Sequence, residues 1–295
     1  MSAPFDLWMK DVQARMEAAL LRHLPPDQQI PVRLHEAMHY AVLDGGKRVR
    51  PLLVHAAGAL FDAPQAELER AGAAIEMIHA YSLVHDDMPC MDDDALRRGK
   101  PTVHVQYDEA MALLVGDALQ SQAFDVLAHG DLLPAQQLAM VRLLAQASGS
   151  LGMCGGQAID LASVGLTLSL QQLEQMHQLK TGALLRAAVL LGAMAGKQLD
   201  EEETAALDAY AVAIGLAFQV VDDILDATAD SATLGKTAGK DAADNKPTYV
   251  SILGLAQSQA LAQTLRSDAH RALEPFGDKA RRLREIADLI VQRKA

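Results

Sequence analysis

Apolar residues recur at helical spacing along nearly the whole chain, and the alternating pattern of β-strands is nearly absent. Prolines, glycines and capping residues mark the predicted helix ends. The first predicted helix runs from residue 5 to 24, the second ends at Asp44-Gly45-Gly46, the third starts near Pro51, and the fourth runs from Asp62 and Pro64 to the acidic residues that begin at Asp86. Further helices are predicted from 108 to 128, onward from Pro134, after Gly155-Gly156, and from Ser169 to 196. The next helix begins at a capping box formed by Asp200 and Glu203 and continues through Asp222. A loop over residues 227–247 and two further helices are predicted to complete the chain.

These elements amount to about ten or eleven helices with short connections, and no Pro/Gly/Ser-rich linker divides them. The composition agrees, because half of the 295 residues are apolar and only 4% are aromatic. The apolar residues are mainly Ala, Leu, Val and Met, which favour helices over strands. We therefore predict one all-α domain over residues 1–295.

The overall charge and the cysteines narrow the classes of function. A formal net charge of −12 argues against a general attraction to nucleic acid or to an anionic membrane. Cys90 and Cys154 have no disulfide-framework spacing, which fits a reducing cytoplasm. Residues 5–24 do not resemble a signal peptide. The longest uncharged apolar stretches, residues 187–196 and 209–221, are too short to span a bilayer, so we expect buried helices and no membrane insertion.

Two clusters of aspartate lie within otherwise apolar sequence. The first contains Asp86, Asp87, Asp92, Asp93 and Asp94, and the second contains Asp222, Asp223 and Asp226. Burying unpaired carboxylates is costly, so a fold that keeps them together usually binds a cation there. A solvated acidic face is the other explanation, and it accounts for one such cluster more easily than for two.

The spacing within the clusters predicts two different geometries. Asp222 and Asp226 are four residues apart and share one face of a helix. Asp86 and Asp92 are six apart, which places them on different faces of a straight helix. Proline inside a helix costs ~3 kcal/mol, so we expect the helix to break near Pro89 and the chain to bring Asp92 back towards Asp86.

Magnesium is the cation that fits these clusters. Neither cluster has the twelve-residue pattern of a calcium loop, and no paired Cys or His residues indicate zinc. Mg²⁺ binds through one or two carboxylates and completes its coordination with water and phosphate oxygens. The clusters therefore predict a substrate that carries phosphate.

Basic residues lie beside the acidic clusters in this otherwise acidic chain. They are Lys47, Arg48, Arg50, Arg97, Arg98, Lys100, Lys180, Lys236, Lys240 and Lys246. Arginine binds phosphate oxygens bidentately and lysine acts as a point charge. Gly235-Lys236-Thr237 matches the end of a P-loop, but the required earlier glycine is Asp230 and no strand precedes it, so a P-loop is excluded.

Taken together, these motifs resemble those of the trans-prenyl diphosphate synthases over nearly the whole chain. The matching segments, in chain order, are Gly45-Gly46-Lys47-Arg48-x-Arg50-Pro51, Asp86-Asp87-x-x-x-x-Asp92 with Leu96-Arg97-Arg98-Gly99, Lys180-Thr181-Gly182, and Phe218-Gln219 with Asp222-Asp223-Ile224-Leu225-Asp226. The four-residue gap in the first aspartate motif resembles bacterial farnesyl diphosphate synthases and some geranylgeranyl diphosphate synthases. The resemblance implies a homodimer, with an active site in a central cavity of each helical bundle.

The resemblance also implies the reaction and its residues. An allylic diphosphate ionises, isopentenyl diphosphate attacks the resulting cation, and a proton is lost. The implied metal ligands are Asp86, Asp92 and Asp222, with Asp87, Asp223 and Asp226 in a second tier, around three Mg²⁺ ions, or Mn²⁺ in their place. Arg97, Lys180, Thr181, Gln219 and Lys236 are implied for the allylic diphosphate, and Gly46, Lys47, Arg50, His79 and Arg98 for isopentenyl diphosphate. Gln157 and Asp160 resemble supporting residues, and Arg293-Lys294 either covers the isopentenyl site or forms a frayed tail.

Tyr81 is the residue that we expect to limit product length. It lies five residues before Asp86, about one turn further from the metals, with Ser82 beside it. In the family an aromatic residue at this position accompanies shorter products, so a C15 product, farnesyl diphosphate, is predicted. The other explanation is that Tyr81 merely packs against Met77.

Two competing functions are a non-catalytic subunit, which the intact aspartate clusters argue against, and a terpene cyclase, which would not need Lys47, Arg50 and Arg98.

Overall fold

The computed structural model describes residues 4–228 and 247–293, which form an all-α bundle. Its α-helices are α1 (Phe5–His23), α2 (Val32–Val42), α3 (Val49–Gly58), α4 (Gln65–Asp86), α5 (Val103–Gln106), α6 (Glu109–Ala128), α7 (Pro134–Ser148), α8 (Met153–Ala162), α9 (Leu170–His177), α10 (Ala183–Gly196), α11 (Glu201–Thr228), α12 (Tyr249–Leu253), α13 (Leu255–Ala272) and α14 (Arg281–Gln292). Short 3-10 helices cover Ala59–Phe61 and Glu274–Ala280, and a π-helical turn, Gln178–Gly182, joins α9 to α10. A two-stranded antiparallel hairpin, β1 (Leu96–Arg97) and β2 (Lys100–Pro101), follows α4.

Helix α4 lies in the middle of the bundle, packed against α1, α3, α6 and α10. Most of its residues from Ala71 to Ala80 are buried, so this helix is apolar on nearly every face. Helix α11 packs on α10 and α13, and the buried hydroxyl of Tyr210 donates a 2.7 Å hydrogen bond to the carbonyl of Leu283 in α14. Both aspartate clusters are therefore attached to well-packed core helices.

The predicted helix starts at three capping residues are confirmed. The carboxylate of Asp108 accepts a 2.7 Å hydrogen bond from the backbone N–H of Met111 at the start of α6. Ser169 forms a capping box at the start of α9. Asp200 and Glu203 exchange side-chain to backbone hydrogen bonds of 2.8 and 3.1 Å at the start of α11.

Other predicted boundaries were wrong. Gly155 and Gly156 lie inside α8 instead of before it, because α8 packs closely on the π-helical turn: a Cβ on Gly156 would lie 2.1 Å from the backbone nitrogen of Lys180. Helix α11 continues to Thr228, beyond the predicted loop start, and residues 229–246 of that loop lie outside the described residues. The C-terminal region contains α12, α13, a 3-10 helix and α14 instead of two helices.

In the part of the chain that the structure describes, two helical segments are long and apolar enough to cross a membrane by length and composition alone, Leu170–Gly196 and Glu201–Thr228. In the bundle, 56% and 50% of their most apolar windows are buried against other helices. We interpret both as core helices, as the sequence predicted for the shorter apolar stretches within them.

Candidate active site

The first aspartate cluster lies in a loop that folds back on the end of α4. Helix α4 ends at Asp86, three residues before Pro89. The backbone N–H of Asp92 donates a 2.8 Å hydrogen bond to the carbonyl of Asp86, and that of Asp94 donates a 3.2 Å bond to the carbonyl of Asp87. The predicted helix break and the return of Asp92 towards Asp86 are both confirmed.

Within this cluster, Asp87 is held by Arg97 of the β1–β2 hairpin. The guanidinium donates from Nε and Nη2 to the carboxylate at 2.5–2.8 Å, and Asp87 is buried. Burial raises the pKa of Asp87, while the Arg97 guanidinium opposes that rise. Bidentate pairing of this kind fixes both side chains, so in this structure Asp87 positions Arg97, and its assignment to metal stays a prediction.

The negative charge of Asp86 is disfavoured by its surroundings. Burial raises its pKa to about 6; Lys180 opposes the rise, and the negative charges of Asp92 and Asp87 add to it. A carboxylate in this setting is stabilised by a nearby cation. The electrostatics therefore favour a metal ion bound at Asp86.

The three aspartates of the second cluster have different partners. Asp222 accepts a 2.7 Å hydrogen bond from Arg293, whose guanidinium also stacks over the ring of Phe218. Asp223 is buried and accepts a 2.7 Å hydrogen bond from the backbone N–H of Tyr249, at the start of α12. Asp226 is buried, and its Oδ1 has no hydrogen-bond partner among the described residues.

These donors fit magnesium bound jointly by protein and substrate. Within residues 4–228 and 247–293, no three His, Cys, Asp or Glu side chains come close enough to hold a metal ion alone. The available donors are carboxylate oxygens, including the unpartnered buried Oδ1 of Asp226. Mg²⁺ accepts few protein ligands when phosphate oxygens complete its coordination, so an incomplete carboxylate set suits it.

Lys180 and Thr181 are presented by the π-helical turn. Lys180 Nζ donates a 2.5 Å hydrogen bond to Asp160 of α8. The hydroxyl of Thr181 donates a 2.7 Å bond to the side-chain oxygen of Gln219 on α11. π-Turns inside helices frequently occur at functional sites, and here the turn ties α8 and α11 to one segment. The predicted supporting role of Asp160 has this ion pair as its structural counterpart.

The loop that contains Gly46 and Lys47 is organised by Arg48. Arg48 has a left-handed backbone (φ 52°), is 4% exposed, and donates hydrogen bonds to Glu17, Glu76 and the carbonyl of Val42. The sequence pattern grouped this arginine with the phosphate-binding cations, but its burial gives it a structural role. Lys47 beside it is exposed.

The two glycines of that loop make room for Arg98. A Cβ on Gly45 or on Gly46 would lie 2.7 Å from the Arg98 guanidinium, and Gly46 also has a positive φ of 85°. Only glycine suits this position, where a guanidinium packs directly on a left-handed backbone. The loop and the β1–β2 hairpin are thereby brought together.

A cavity of about 1020 Å³ gathers seven of the predicted site residues. Its lining includes Gln157, whose amide has no partner among the described residues, and these seven: Arg50, His79, Tyr81, Ser82, Asp86, Lys180 and Thr181. Burial, followed by the nearby arginines, lowers the pKa of His79 well below its usual value, so its ring is neutral. Polar groups and apolar side chains such as Met153 and Leu113 share this one space.

Other predicted residues lie beside this cavity or outside the described chain. Arg97 and Arg98 line a neighbouring cavity of about 510 Å³ together with Gly45 and Asp87. Lys236 and Lys294 lie outside the described residues. Arg293 donates a hydrogen bond to Asp222, and whether the tail covers the isopentenyl site or frays stays a prediction.

One buried pair near the site was not predicted from the sequence. His177 precedes the π-helical turn and stacks on Tyr249 with a centroid separation of 5.6 Å. Burial lowers the pKa of His177 to about 4, and neither ring nitrogen has a hydrogen-bond partner within residues 4–228 and 247–293. A lone histidine in an apolar segment gives no sequence signal for such a stack, because Tyr249 is distant along the chain.

Comparisons with known proteins identify the family of this chain. The polyprenyl synthetase family model matches residues 31–282. The farnesyl diphosphate synthase of Escherichia coli K12 is 48% identical over 274 residues, covering 91% of this chain and 91% of that protein. Geranylgeranyl pyrophosphate synthase 11, chloroplastic, of Arabidopsis thaliana is 47% identical and covers 90% of this chain and 76% of that protein.

Two solved structures share the whole fold. An apo structure of an FPP/GFPP synthase from Zymomonas mobilis has a TM-score of 0.88 at 44% identity, covering 97% of this chain and 98% of that one. A Helicobacter pylori geranyltransferase complexed with magnesium and isoprenyl diphosphate has a TM-score of 0.84 at 35% identity, covering 98% and 97%. The family match, the sequence identities and the shared fold agree, and the chain belongs to the polyprenyl synthetase family.

Proposed function

We propose that this chain is a prenyltransferase that condenses isopentenyl diphosphate head-to-tail with dimethylallyl and then geranyl diphosphate, releasing pyrophosphate and farnesyl diphosphate. The single observation that carries the proposal is the 1020 Å³ cavity, where Asp86, Lys180, Arg50 and His79 share one space with an apolar wall. Such a site suits a substrate with a diphosphate head and a hydrocarbon tail.

The metal-binding part of the site has two sides. Asp86 and Asp92 on one loop, and Asp222 on α11, are the proposed Mg²⁺ ligands, with Asp87, Asp223 and Asp226 supporting them. Three Mg²⁺ ions per site are proposed, with Mn²⁺ as a substitute. When bound, the metal neutralises negative charge on the leaving diphosphate. Metal binding by Asp222 requires its ion pair with Arg293 to open.

The residues of the π-helical turn act on the allylic substrate. Lys180, together with Arg97 and Lys236, binds the diphosphate oxygens as they gain charge. Thr181 and Gln219, joined by their 2.7 Å hydrogen bond, direct oxygen dipoles towards the allylic cation. Asp160 holds the Lys180 ammonium in place before substrate arrives.

Isopentenyl diphosphate binds at Gly46, Lys47, Arg50, His79 and Arg98. The neutral ring of His79 donates a hydrogen bond without adding a charge. The double bond of isopentenyl diphosphate attacks the allylic cation, and the departing diphosphate accepts the proton that is lost. Arg50, whose buried Nε has no partner within the described structure, is positioned to receive an anionic ligand.

The function is tested by incubating the purified protein with isopentenyl and dimethylallyl diphosphates and Mg²⁺. We expect a linear C15 alcohol after phosphatase treatment, and no product when EDTA removes the metal. A cyclic hydrocarbon would instead indicate a terpene cyclase. The absence of turnover at any divalent metal would indicate a non-catalytic subunit.

Tyr81 is proposed to close the end of the hydrocarbon space, so Tyr81→Ala should make C20 the main product. The ring is 8% exposed and lines the cavity, and its removal deepens the space available to the tail. Chain lengths are measured by reversed-phase chromatography of the dephosphorylated alcohols. Tyr107→Ala is the matched control, because Tyr107 packs on Tyr40 away from the cavity lining. Unchanged C15 output from Tyr81→Ala would refute the proposed role of this ring.

A homodimer is proposed for the assembled enzyme. Leu114 on α6 and Leu138 on α7 are 51% and 60% exposed, and a cleft of about 1430 Å³ lies between α7 and α10. Apolar surface of this kind is typical of an interface between subunits. Light scattering after size exclusion should give twice the 31.6 kDa chain mass, and Leu138→Glu should shift it to one chain mass. A single chain mass for the unaltered protein would contradict the proposal.

A cytoplasmic location is also proposed. Cys90 and Cys154 are both free thiols, which supports this location.

A further inference from the structure

Two rings on α4 form one wall of the 1020 Å³ cavity. Tyr81 and His85 are one helical turn apart, and their centroids lie 5.8 Å apart in an edge-to-face arrangement. Both belong to the cavity lining. The orientation of the His85 ring therefore affects the space that a hydrocarbon tail can occupy beside Tyr81.

The His85 ring is held by the neighbouring helix α6. Its Nε2 lies 3.1 Å from the carbonyl oxygen of Leu113. The ring packs directly over Gly116, where a Cβ would lie 1.9 Å from Nε2 and 2.4 Å from Cδ2. The absence of a side chain at Gly116 thus creates a notch in α6 that the imidazole fills.

The same face of α6 also acts on the second ring. Gln120 follows Gly116 by one turn and hydrogen-bonds the Tyr81 hydroxyl. Burial raises the pKa of Tyr81, and the hydrogen bond from Gln120 partly offsets that rise. Positions 113, 116 and 120 lie on one face of α6, spaced three and four residues apart. Helix α6 therefore supports both rings through a carbonyl, a notch and a side chain.

Glycine is otherwise a poor choice at this place. Gly116 lies in the interior of a 20-residue helix, has no positive φ, and is flanked by the buried residues Val115 and Leu119. Glycine in a helix interior is less favourable than alanine because its backbone loses more freedom on folding. The tight contact with His85 gives a physical reason for this residue.

We propose that Gly116 is a specificity-determining residue: by seating the His85 ring in α6, it sets the depth of the cavity and hence the product length. The inference rests on the proposed function, because it assumes that the growing prenyl tail occupies this cavity. A methyl group at position 116 must push the imidazole out of the notch. The cavity is the open space beside the ring, so the displaced ring enters it and shortens the space for the tail.

Two single variants of the full-length protein and their combination form a double-mutant cycle that tests the proposal. Gly116→Ala should move the main product from C15 to C10, and His85→Ala should raise the C20 share at least several-fold. In Gly116→Ala/His85→Ala, the methyl group has no ring to displace, so the distribution should match that of His85→Ala alone. Ser121→Ala, on the exposed face of α6, is the matched control and should keep the C15 product.

Product ratios separate this role from a general structural one. A change at Gly116 that only loosened the packing of α4 on α6 would lower the total rate and leave the C10:C15:C20 ratio unchanged, and that outcome would overturn the proposal. Equal shortening by Gly116→Ala with and without His85 would also overturn it. If Gly116→Ala does not fold, His85→Ala alone decides, since unchanged C15 output contradicts the model. Failure of the unaltered protein to form any prenyl product would instead refute the proposed function.

Discussion

Asp86→Asn should lower kcat about 10³-fold and raise the Mg²⁺ concentration needed for half-maximal rate. Asp86 is a proposed metal ligand, and a carboxylate ligand contributes several kcal/mol to neutralising charge in the transition state, where each 1.36 kcal/mol is about tenfold in rate. Its raised pKa, to about 6, reflects burial beside Asp92 and Asp87, the setting in which a cation is most stabilising. The measurement is steady-state turnover across a Mg²⁺ titration.

Asp93→Asn provides the control in the same loop. Asp93 is exposed and has a positive φ of 49°, a conformation that asparagine tolerates well. The substitution removes the same charge only a few residues from Asp86, so a general electrostatic effect of the loop would appear in both variants. Wild-type turnover and Mg²⁺ dependence in Asp86→Asn would refute its role as a ligand.

Arg48→Met should lower the free energy of unfolding by about 3–5 kcal/mol, because it leaves the buried carboxylate of Glu76 without its partner. Arg48 and Glu76 are 4% and 3% exposed, and their charged atoms are 2.8 Å apart. The same guanidinium bonds Glu17 and the carbonyl of Val42, so its loss should also release the loop before α3. Urea unfolding followed by circular dichroism measures the change.

A surface ion pair serves as the comparison for Arg48. Arg15→Met removes the exposed pair with Asp11 on α1, whose charged atoms are 2.9 Å apart, and should cost less than about 1 kcal/mol. Similar unfolding energies for the two variants would mean that Glu76 is stabilised without Arg48. A raised KM for isopentenyl diphosphate in refolded Arg48→Met would report the loosened loop separately from stability.

The sequence correctly predicted the structural features that depend only on residues adjacent along the chain. The capping box at Asp200 and Glu203 and the chain reversal around Pro89 each follow from a few consecutive side chains, and both are present. Arg48 resembled the phosphate-binding cations beside it, because its partners Glu17 and Glu76 are 31 and 28 residues away. Which cation becomes buried depends on these distant partners.

Long-range packing also explains the misplaced start of α8. Glycine pairs commonly interrupt helices, and Gly155-Gly156 was interpreted in that way. The fold instead uses Gly156 where α8 meets the backbone of Lys180, a contact between segments more than twenty residues apart. The notch at Gly116 has the same character: the glycine is visible in the sequence, but the ring that fills it belongs to another helix.

The π-helical turn, Gln178–Gly182, rotates the buried face of α10 relative to that of α9. A π-turn holds one more residue than an α-helical turn, so α9 and α10 are out of phase by about 100° on a helical wheel. No single wheel describes residues 170–196, although the segment is continuous. A prediction of buried positions from one wheel over residues 170–196 would therefore assign the wrong face on one side of Lys180.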